Sequence, residues 1–291
     1  MLSLVLPKGS LEAATLALFD SADLSVLRGS ERDYHASIDD PRIDRVRFLR
    51  PQEIPTYVEQ GIFDLGISGR DWITETGADV VSLGEIGGGR ATDGPVHVVL
   101  AVPRDSPWHA VSDLPDGVRI STEMPETTRR YLDDNGVKAR VFTSHGATEA
   151  KIPDIVDAIV DLTETGSSLR KAGLRILATL LTSRTELIAN RAAYEDAGKR
   201  AAMDDIVVLL QGALRARGHV LLKCNVAEEH LAAVLGLLPA MSSPSVTSLA
   251  DPAMHAVESV APKRGVNTLI PALRAAGARD ILELPISKMV D

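Results

Sequence analysis

Residues 157–174 read DAIVDLTETGSSLRKAGL, and the fold turns on how that run is divided. Ala158, Ile159, Val160 and Leu162 form a short, β-branched apolar stretch that predicts a buried strand. Ser167 or Ser168 then predicts the cap of a helix that Leu169 begins and Gly173 stops. The Thr-Gly-Ser-Ser turn between them falls at the carboxyl end of a strand and the amino end of a helix. Ligands of open α/β sheets bind at such ends, and helix-start N–H groups favour an anion there.

Outward from this stretch the chain alternates strands and helices. Leu2 to Leu6 reads as a strand, Ser10 to Ala22 as a helix, Val46 to Leu49 as a strand, and PQEIPTYVEQG (51–61) as a helix opened by Pro51 and closed by Gly61. Phe63–Ile67, Val96–Val102, Arg119–Ser121 and Ala139–Thr143 are further strands. Strands separated by helices predict an α/β fold with a parallel sheet covered on both faces. After about residue 210 the pattern changes to strand (GHVLLKCNV), helix (Ala227–Leu238), two strands (SPSVTSL, AMHAVESVA), helix (Val266–Ala276) and strand (ARDILELPI). That order is the split βαβ plan of a ferredoxin-like module.

Composition narrows the function. In 291 residues, 45% hydrophobic and 24% charged content is that of an ordinary globular protein. With 31 Lys and Arg against 40 Asp and Glu, the net charge of −9 argues against nucleic acid and acidic membranes, and no basic run overrides it. The N-terminal MLSLVLPKGSLEAATLALF lacks a charged region before its apolar stretch and reads as strand, turn and helix rather than a signal peptide. No apolar run approaches the roughly 20 residues that span a bilayer. Cys224 is the single cysteine, so no internal disulfide forms, which fits the cytoplasm. The seven histidines show no HExxH and no clustering with cysteine, leaving a zinc site without support. Walker A and GxSxG patterns are absent, and GEIGGGRATDG (84–94) misses GxGxxG and reads as a loop.

Small polar turns at strand ends remain. LPKGSL holds Lys8, Gly9 and Ser10; LRPQEIP holds Arg50; DLGISGRDW is read as a turn with Gly66, Ser68, Gly69 and Asp71. Each alone is also ordinary loop chemistry. Asp157 and Asp161, four apart on a strand, point to one face, and Asp161 adjoins the Thr-Gly-Ser-Ser turn. Carboxylates accept from ribose hydroxyls while hydroxyls and backbone N–H groups hold phosphate, so a sugar phosphate suits the site. A capped helix flanked by two solvated acids is the alternative.

The run 157–174 resembles the phosphoribosyl-pyrophosphate loop of ATP phosphoribosyltransferases, the enzymes that open histidine biosynthesis, whose pattern is close to DAIVDLVETGxTLRxNGL. LVLPKGSL is similar to their PKGRL turn, FLRPQEIPTYVEQGIFDLGISGRDW to RPxDIPxYVxxGxxDLGITGxD, and STEMPETTRRYLDDNG to TExPxLTRRYxxxxG. HGATEAKIPDIVDAIVDL follows their GSxE stretch, and LTSRTELIANRAAY the segment after the loop. LLKCNVAEEHLAAVLGLLPAMSSPSVTSLADP looks like the histidine-binding, ACT-like domain of long-form members. Ser10 stands where the family turn carries Arg, Ser168 where the loop carries Thr, and Met254 where Trp is common.

The resemblance implies a two-lobed type II periplasmic-binding-protein-like catalytic region. Lobe I would span 1–97 with 179–216, lobe II 98–178, and a regulatory domain 217–291. It implies magnesium-dependent transfer of phosphoribosyl from phosphoribosyl pyrophosphate to N1 of ATP, with histidine as inhibitor and with homodimers and homohexamers. Asp161 and Asp157 are assigned to the ribose, Thr165, Gly166, Ser167 and Ser168 to the 5-phosphate, and Leu169 with them to binding of phosphoribosyl pyrophosphate. Lys8, Gly9, Arg50, Gly69 and Glu149 are assigned to ATP and phosphates, and Ser243, Ser245 and Thr247 to histidine, with no protein ligand named for the metal. The competing expectation is a non-catalytic small-anion-binding protein of the same fold.

Overall fold

A computed structural model describes residues 1–87, 94–239 and 243–290. The chain opens β1 (Leu2–Pro7), α1 (Glu12–Ser21), β2 (Val26–Leu27), β3 (His35–Ile38), β4 (Ile43–Leu49), α2 (Ile54–Glu59), β5 (Leu65–Gly69), α3 (Arg70–Thr76) and β6 (Val80–Gly87). It continues β7 (Val96–Pro103), β8 (Val118–Thr122), α4 (Pro125–Asp134), β9 (Ala139–Thr143), β10 (Ala158–Thr163), α5 (Ser167–Lys171) and β11 (Leu174–Ser183). Then come β12 (Thr185–Asn190), α6 (Arg191–Glu195), α7 (Ala197–Ala216), β13 (His219–Ala227), α8 (Glu228–Leu235), β14 (Ser245–Ser248), β15 (Met254–Pro262), α9 (Val266–Ala275) and β16 (Arg279–Pro285). Contacts group the chain into two units, Met1–Asp20 with Leu24–Asp205, and Ser21–Asp23 with Ile206–Asp291.

The first unit holds two sheets. One has the order β2-β3-β4-β1-β5-β12-β6, the other β11-β7-β10-β8-β9. In the first, β1, β4 and β5 run parallel and end at Pro7, Leu49 and Gly69. β12 returns antiparallel with Thr185 opposite Gly69, so the chain re-enters this sheet at that same edge. In the second, β8, β9 and β10 run parallel, and β7 and β11 meet their carboxyl edge with His97 opposite Thr163 and Ser183 opposite Val96. Both crossings between the sheets thus lie at the carboxyl ends of the parallel strands, where α/β folds keep their ligands. Two lobes joined by two crossings are the type II periplasmic-binding-protein-like plan.

The second sheet is apolar on both faces. Val98, Leu100, Ile120 and Val160 lie in one cluster, which Trp72 of α3 joins, and Val99, Ala101, Ile159 and Leu169 lie in another. Strands buried on both faces read as continuous Val/Ile/Leu runs, which is why VHVVLAV and AIV were legible. α4 starts at Pro125, and the Glu75 carboxylate accepts the N–H groups of Glu126 and Thr127 at 2.9 and 2.8 Å, satisfying donors that a helix start leaves open. The lobe boundary expected at 178/179 falls inside β11, which stays in the second sheet to Ser183 because it pairs with β7 along its length. Of the loop expected over 84–94, residues 84–87 end β6, and residues 88–93 lie outside the described residues.

The second unit carries β13-α8-β14-β15-α9-β16, with every neighbouring pair antiparallel in the order β14-β15-β13-β16. This is the ferredoxin-like arrangement. β13 alternates buried and half-buried residues, so Val220, Leu222, Cys224 and Val226 enter the core with Val234, Leu273 and Val257. Burial pushes the Cys224 thiol up, away from the reactive thiolate.

Candidate active site

At the carboxyl edge of the first sheet an open cavity is lined by Lys8, Arg50, Gly69, Asp71, Leu162 and Ser183, among others. Lys8 follows β1, and its ammonium lies 3.8 Å from Glu12 Oε1 and 5.4 Å from the Tyr34 ring centroid. Burial raises the Glu12 carboxyl, but hydrogen bonds from Gly9 and Arg28 and the Lys8 charge outweigh it and hold the group below its usual range. Gly9 has φ +94, a left-handed conformation that frees its N–H to reach Glu12 Oε2 at 3.1 Å. Arg50 follows β4 and is exposed, and none of the described residues pairs with its guanidinium.

Gly69 is in the cavity for a reason the sequence reading missed. Residues 65–69 are strand β5, fully buried, rather than a turn, because β5 pairs with β1 at Leu65 and Gly66 and with β12 from Leu65 through Gly69. A Cβ at Gly69 would overlap Asp71 Oδ1 and stand 3.3 Å from Ser183 Oγ. Asp71 donates its N–H to Ser183 Oγ at 3.0 Å, and Ser183 Oγ donates back to Asp71 Oδ1 at 2.6 Å. That reciprocal pair sits at the return crossing, and Gly69 makes room for it.

The second sheet brings Asp161 and the Thr-Gly-Ser-Ser turn to its carboxyl edge. Asp161 pairs opposite Val99 and shares a face with Ile159. Thr163 Oγ1 accepts the Gly166 N–H at 2.7 Å and folds the turn back on the strand end. Gly166, not a serine, is the N-cap: its φ of +69 is left-handed, no side chain caps the helix, and Ser167 is the first helical residue. Donors of that first turn have no partner within the helix. Thr165, Ser167 and Ser168 are exposed beside them.

Three assigned residues stand elsewhere. Asp157 precedes β10 at its opposite end, where Arg119 donates to it from Nη2 at 2.6 Å, from Nε at 3.1 Å and from its backbone N–H at 2.9 Å. Those bonds hold its carboxyl below the usual range. The Leu169 side chain is 2% exposed, packed with Val99, Ala101, Ile159 and Leu174, so it anchors α5 and does not face phosphate. Glu149 lies exposed in the short 3₁₀ turn Thr148–Lys151 and, like Thr165–Ser168, is outside the cavity lining. Lys8, Arg50 and Gly69 share one cavity with Leu162, the neighbour of Asp161, whereas Thr165–Ser168 are outside its lining. Asp71, Ser183 and Thr185 also line it; Asp71 stands in the DLGISGRDW stretch, and Ser183 and Thr185 in LTSRTELIANRAAY, but none of the three is assigned to the site from the sequence.

A family model described as ATP phosphoribosyltransferase matches residues 50–212, and one described as HisG, C-terminal domain, matches 216–288. The ATP phosphoribosyltransferase of Pelotomaculum thermopropionicum is 47% identical over 289 residues, covering 99% of both chains. That of Desulforudis audaxviator is 48% identical over 289 residues with the same coverage. The chain belongs to the ATP phosphoribosyltransferase family. As an ATP phosphoribosyltransferase it catalyses the first step of histidine biosynthesis, and the expectation of a non-catalytic anion-binding protein falls away. The ATP phosphoribosyl transferase (HisG:HisZ) complex from Thermotoga maritima matches with a TM-score of 0.61 and 29% identity, over 72% of this chain and 97% of that one. No helix among the described residues is long and apolar enough to cross a membrane.

In the C-terminal domain of this ATP phosphoribosyltransferase, β14 is an edge strand and all four of its residues are exposed. Ser245 and Thr247 share one face of it, but Ser243 precedes the strand and its hydroxyl turns to the Pro244 carbonyl at 3.4 Å. The alternation expected from residue 243 begins only at 245.

Proposed function

We propose that phosphoribosyl pyrophosphate lies at the carboxyl end of β10, with ribose hydroxyls on Asp161 and the 5-phosphate on Thr165, Gly166, Ser167 and Ser168. ATP occupies the edge of the first sheet, its phosphates near Lys8 and Arg50. The observation that carries this reading is that the carboxyl end of β10 reaches the cavity through Leu162, which lines it with Lys8 and Arg50, while Asp161 sits on the opposite face of the strand, the one that Leu169 of α5 covers. The adenine N1 lone pair attacks ribose C1, a C–N bond forms, the C1–O bond breaks, and pyrophosphate leaves with the bonding pair. No activated nucleophile is needed on the protein; its work is alignment and stabilisation of positive charge on the ribose and negative charge on pyrophosphate. Asp161 serves the first and the cations the second.

Among the described residues no group of three His, Cys, Asp or Glu is poised to hold a metal. Mg²⁺ fits this site as an ion brought in on substrate phosphates, with Asp161 as a carboxylate within reach, which is how Mg²⁺ is commonly held. When bound it neutralises phosphate charge. The bounds of the catalytic lobes (1–97 with 179–216, and 98–178) and of a histidine-sensing region (217–291) are retained with one change, the second crossing moving to Ser183–Thr185. Histidine as inhibitor, homodimer and homohexamer assembly, and cytoplasmic location complete the reading, with Ser245 and Thr247 as candidate histidine contacts. Mixing the protein with ATP, phosphoribosyl pyrophosphate and Mg²⁺ should yield phosphoribosyl-ATP, and histidine at millimolar level should slow it. Histidine that neither binds in calorimetry nor slows the reaction would remove the sensor role.

A further inference from the structure

We propose that Lys151 is a further substrate-binding residue, holding the pyrophosphate end of phosphoribosyl pyrophosphate; this rests on placing the 5-phosphate of that substrate at Thr165–Ser168. Lys151 is half-buried, and its ammonium donates to Ser121 Oγ at 3.2 Å and to Ser144 Oγ. Ser144 Oγ also bonds Thr148 Oγ1 at 2.9 Å, and Ser121, Ser144 and Thr148 are all buried. Among the described residues no carboxylate pairs with Lys151; Asp157, six residues on, is taken by Arg119. Hydroxyls satisfy the protons of the ammonium but not its charge, and a charge withdrawn from water calls for a counter-charge.

Topology names the anion. Ser121 on β8 pairs with Ile159 on β10, and Asp161 lies two residues further along the same face, about 7 Å on. α5 covers that face from the β7 side, since Leu169 packs on Val99 and Ala101, and Lys151 reaches it from the β8 side. A ribose on Asp161 is therefore flanked by the 5-phosphate turn on one side and Lys151 on the other. The C5 and C1 substituents of the sugar leave the ring on opposite sides of its oxygen, so the group that faces Lys151 is the pyrophosphate at C1.

The test uses the full chain with Lys151→Met, Lys151→Arg and, as control, Gly166→Val. Calorimetry with inorganic pyrophosphate, KM for each substrate, and Tm are measured. Lys151→Met should raise the Kd for pyrophosphate and the KM for phosphoribosyl pyrophosphate about ten-fold or more, in keeping with loss of a charged hydrogen bond, with KM for ATP within about two-fold. Lys151→Arg should restore most of the loss. An unchanged pyrophosphate Kd, or equal weakening of both substrates with a lowered Tm that Arg does not rescue, would overturn the assignment. If Gly166→Val also leaves phosphoribosyl pyrophosphate binding intact, the fault lies in the placement of the 5-phosphate rather than in Lys151 alone.

Discussion

The two ends of β10 carry the same residue type, four positions apart and on one face, and do different work. At the amino end Asp157 is closed into a three-bond ion pair with Arg119. At the carboxyl end Asp161 stands beside a turn built by Thr163 and a left-handed Gly166, with its neighbour Leu162 lining the cavity of the first sheet. Strand direction makes the difference. The three parallel strands of the second sheet share one direction, so Asp161 lies toward the carboxyl edge, where α/β folds keep their ligands, and Asp157 toward the other, where it ties β10 to Arg119 of β8.

The largest expected effect follows at Asp161. Asp161→Asn keeps shape but removes the charge that favours an electron-poor ribose carbon, and should lower kcat/KM by about ten- to a hundred-fold, the worth of a charged hydrogen bond. Wild-type kinetics in the purified variant would break the contrast between the two ends. Gly166→Val comes next. A side chain there must adopt a positive φ, which strains the turn, and would push the flexible end of Arg170 aside and press on Ile176 at 3.3 Å. The Kd for phosphoribosyl pyrophosphate should rise about ten-fold, with that for ATP little changed; equal loss of both in calorimetry would mean general misfolding.

Gly69→Ala tests the first sheet by stability instead of binding. The added methyl overlaps the Asp71 carboxylate and presses on Ser183, so the reciprocal Asp71–Ser183 pair must give way. A loss of about 1–3 kcal/mol is expected from overpacking a buried site, read as a Tm several degrees lower. An unchanged Tm would show that the glycine serves a ligand rather than this pair.

Legibility tracked local chemistry. The Val/Ile/Leu runs of β1, β7 and β10 and the βαββαβ order of the C-terminal unit were readable because strand burial and turn residues are written locally. β2, β3, β6 and β12 were not, since β2 has only two residues, β3 is mostly exposed, and β6 and β12 owe their place to pairing across about a hundred residues. DLGISGRDW misled because its glycines serve packing: a Cβ at Gly66 would stand 2.7 Å from both Ile54 and Val58. Leu169 misled differently, being part of a phosphate-loop pattern whose apolar member faces the core. Asp157 could be separated from Asp161 only once Arg119, 38 residues away, was seen beside it.

The smallest effect is expected at Asp157, and its pH dependence sharpens the comparison. Asp157→Asn should leave kcat and both KM values near wild type if, as proposed, substrate binds at the carboxyl end of β10. The ion pair is partly exposed, 40% for the Arg119 side chain and 31% for that of Asp157, so solvent screening keeps its loss small. Arg119 holds the carboxyl below its unfolded value, so the group stabilises the fold above the unfolded pKa and loses that contribution as pH falls through the folded one. The Tm difference between wild type and Asp157→Asn should therefore be present near neutral pH, shrink as pH falls below about 4, and narrow in high salt. A variant that folds normally yet loses turnover at pH 7 would return Asp157 to the active site. It would mean that the strand-end rule had assigned the two carboxylates wrongly.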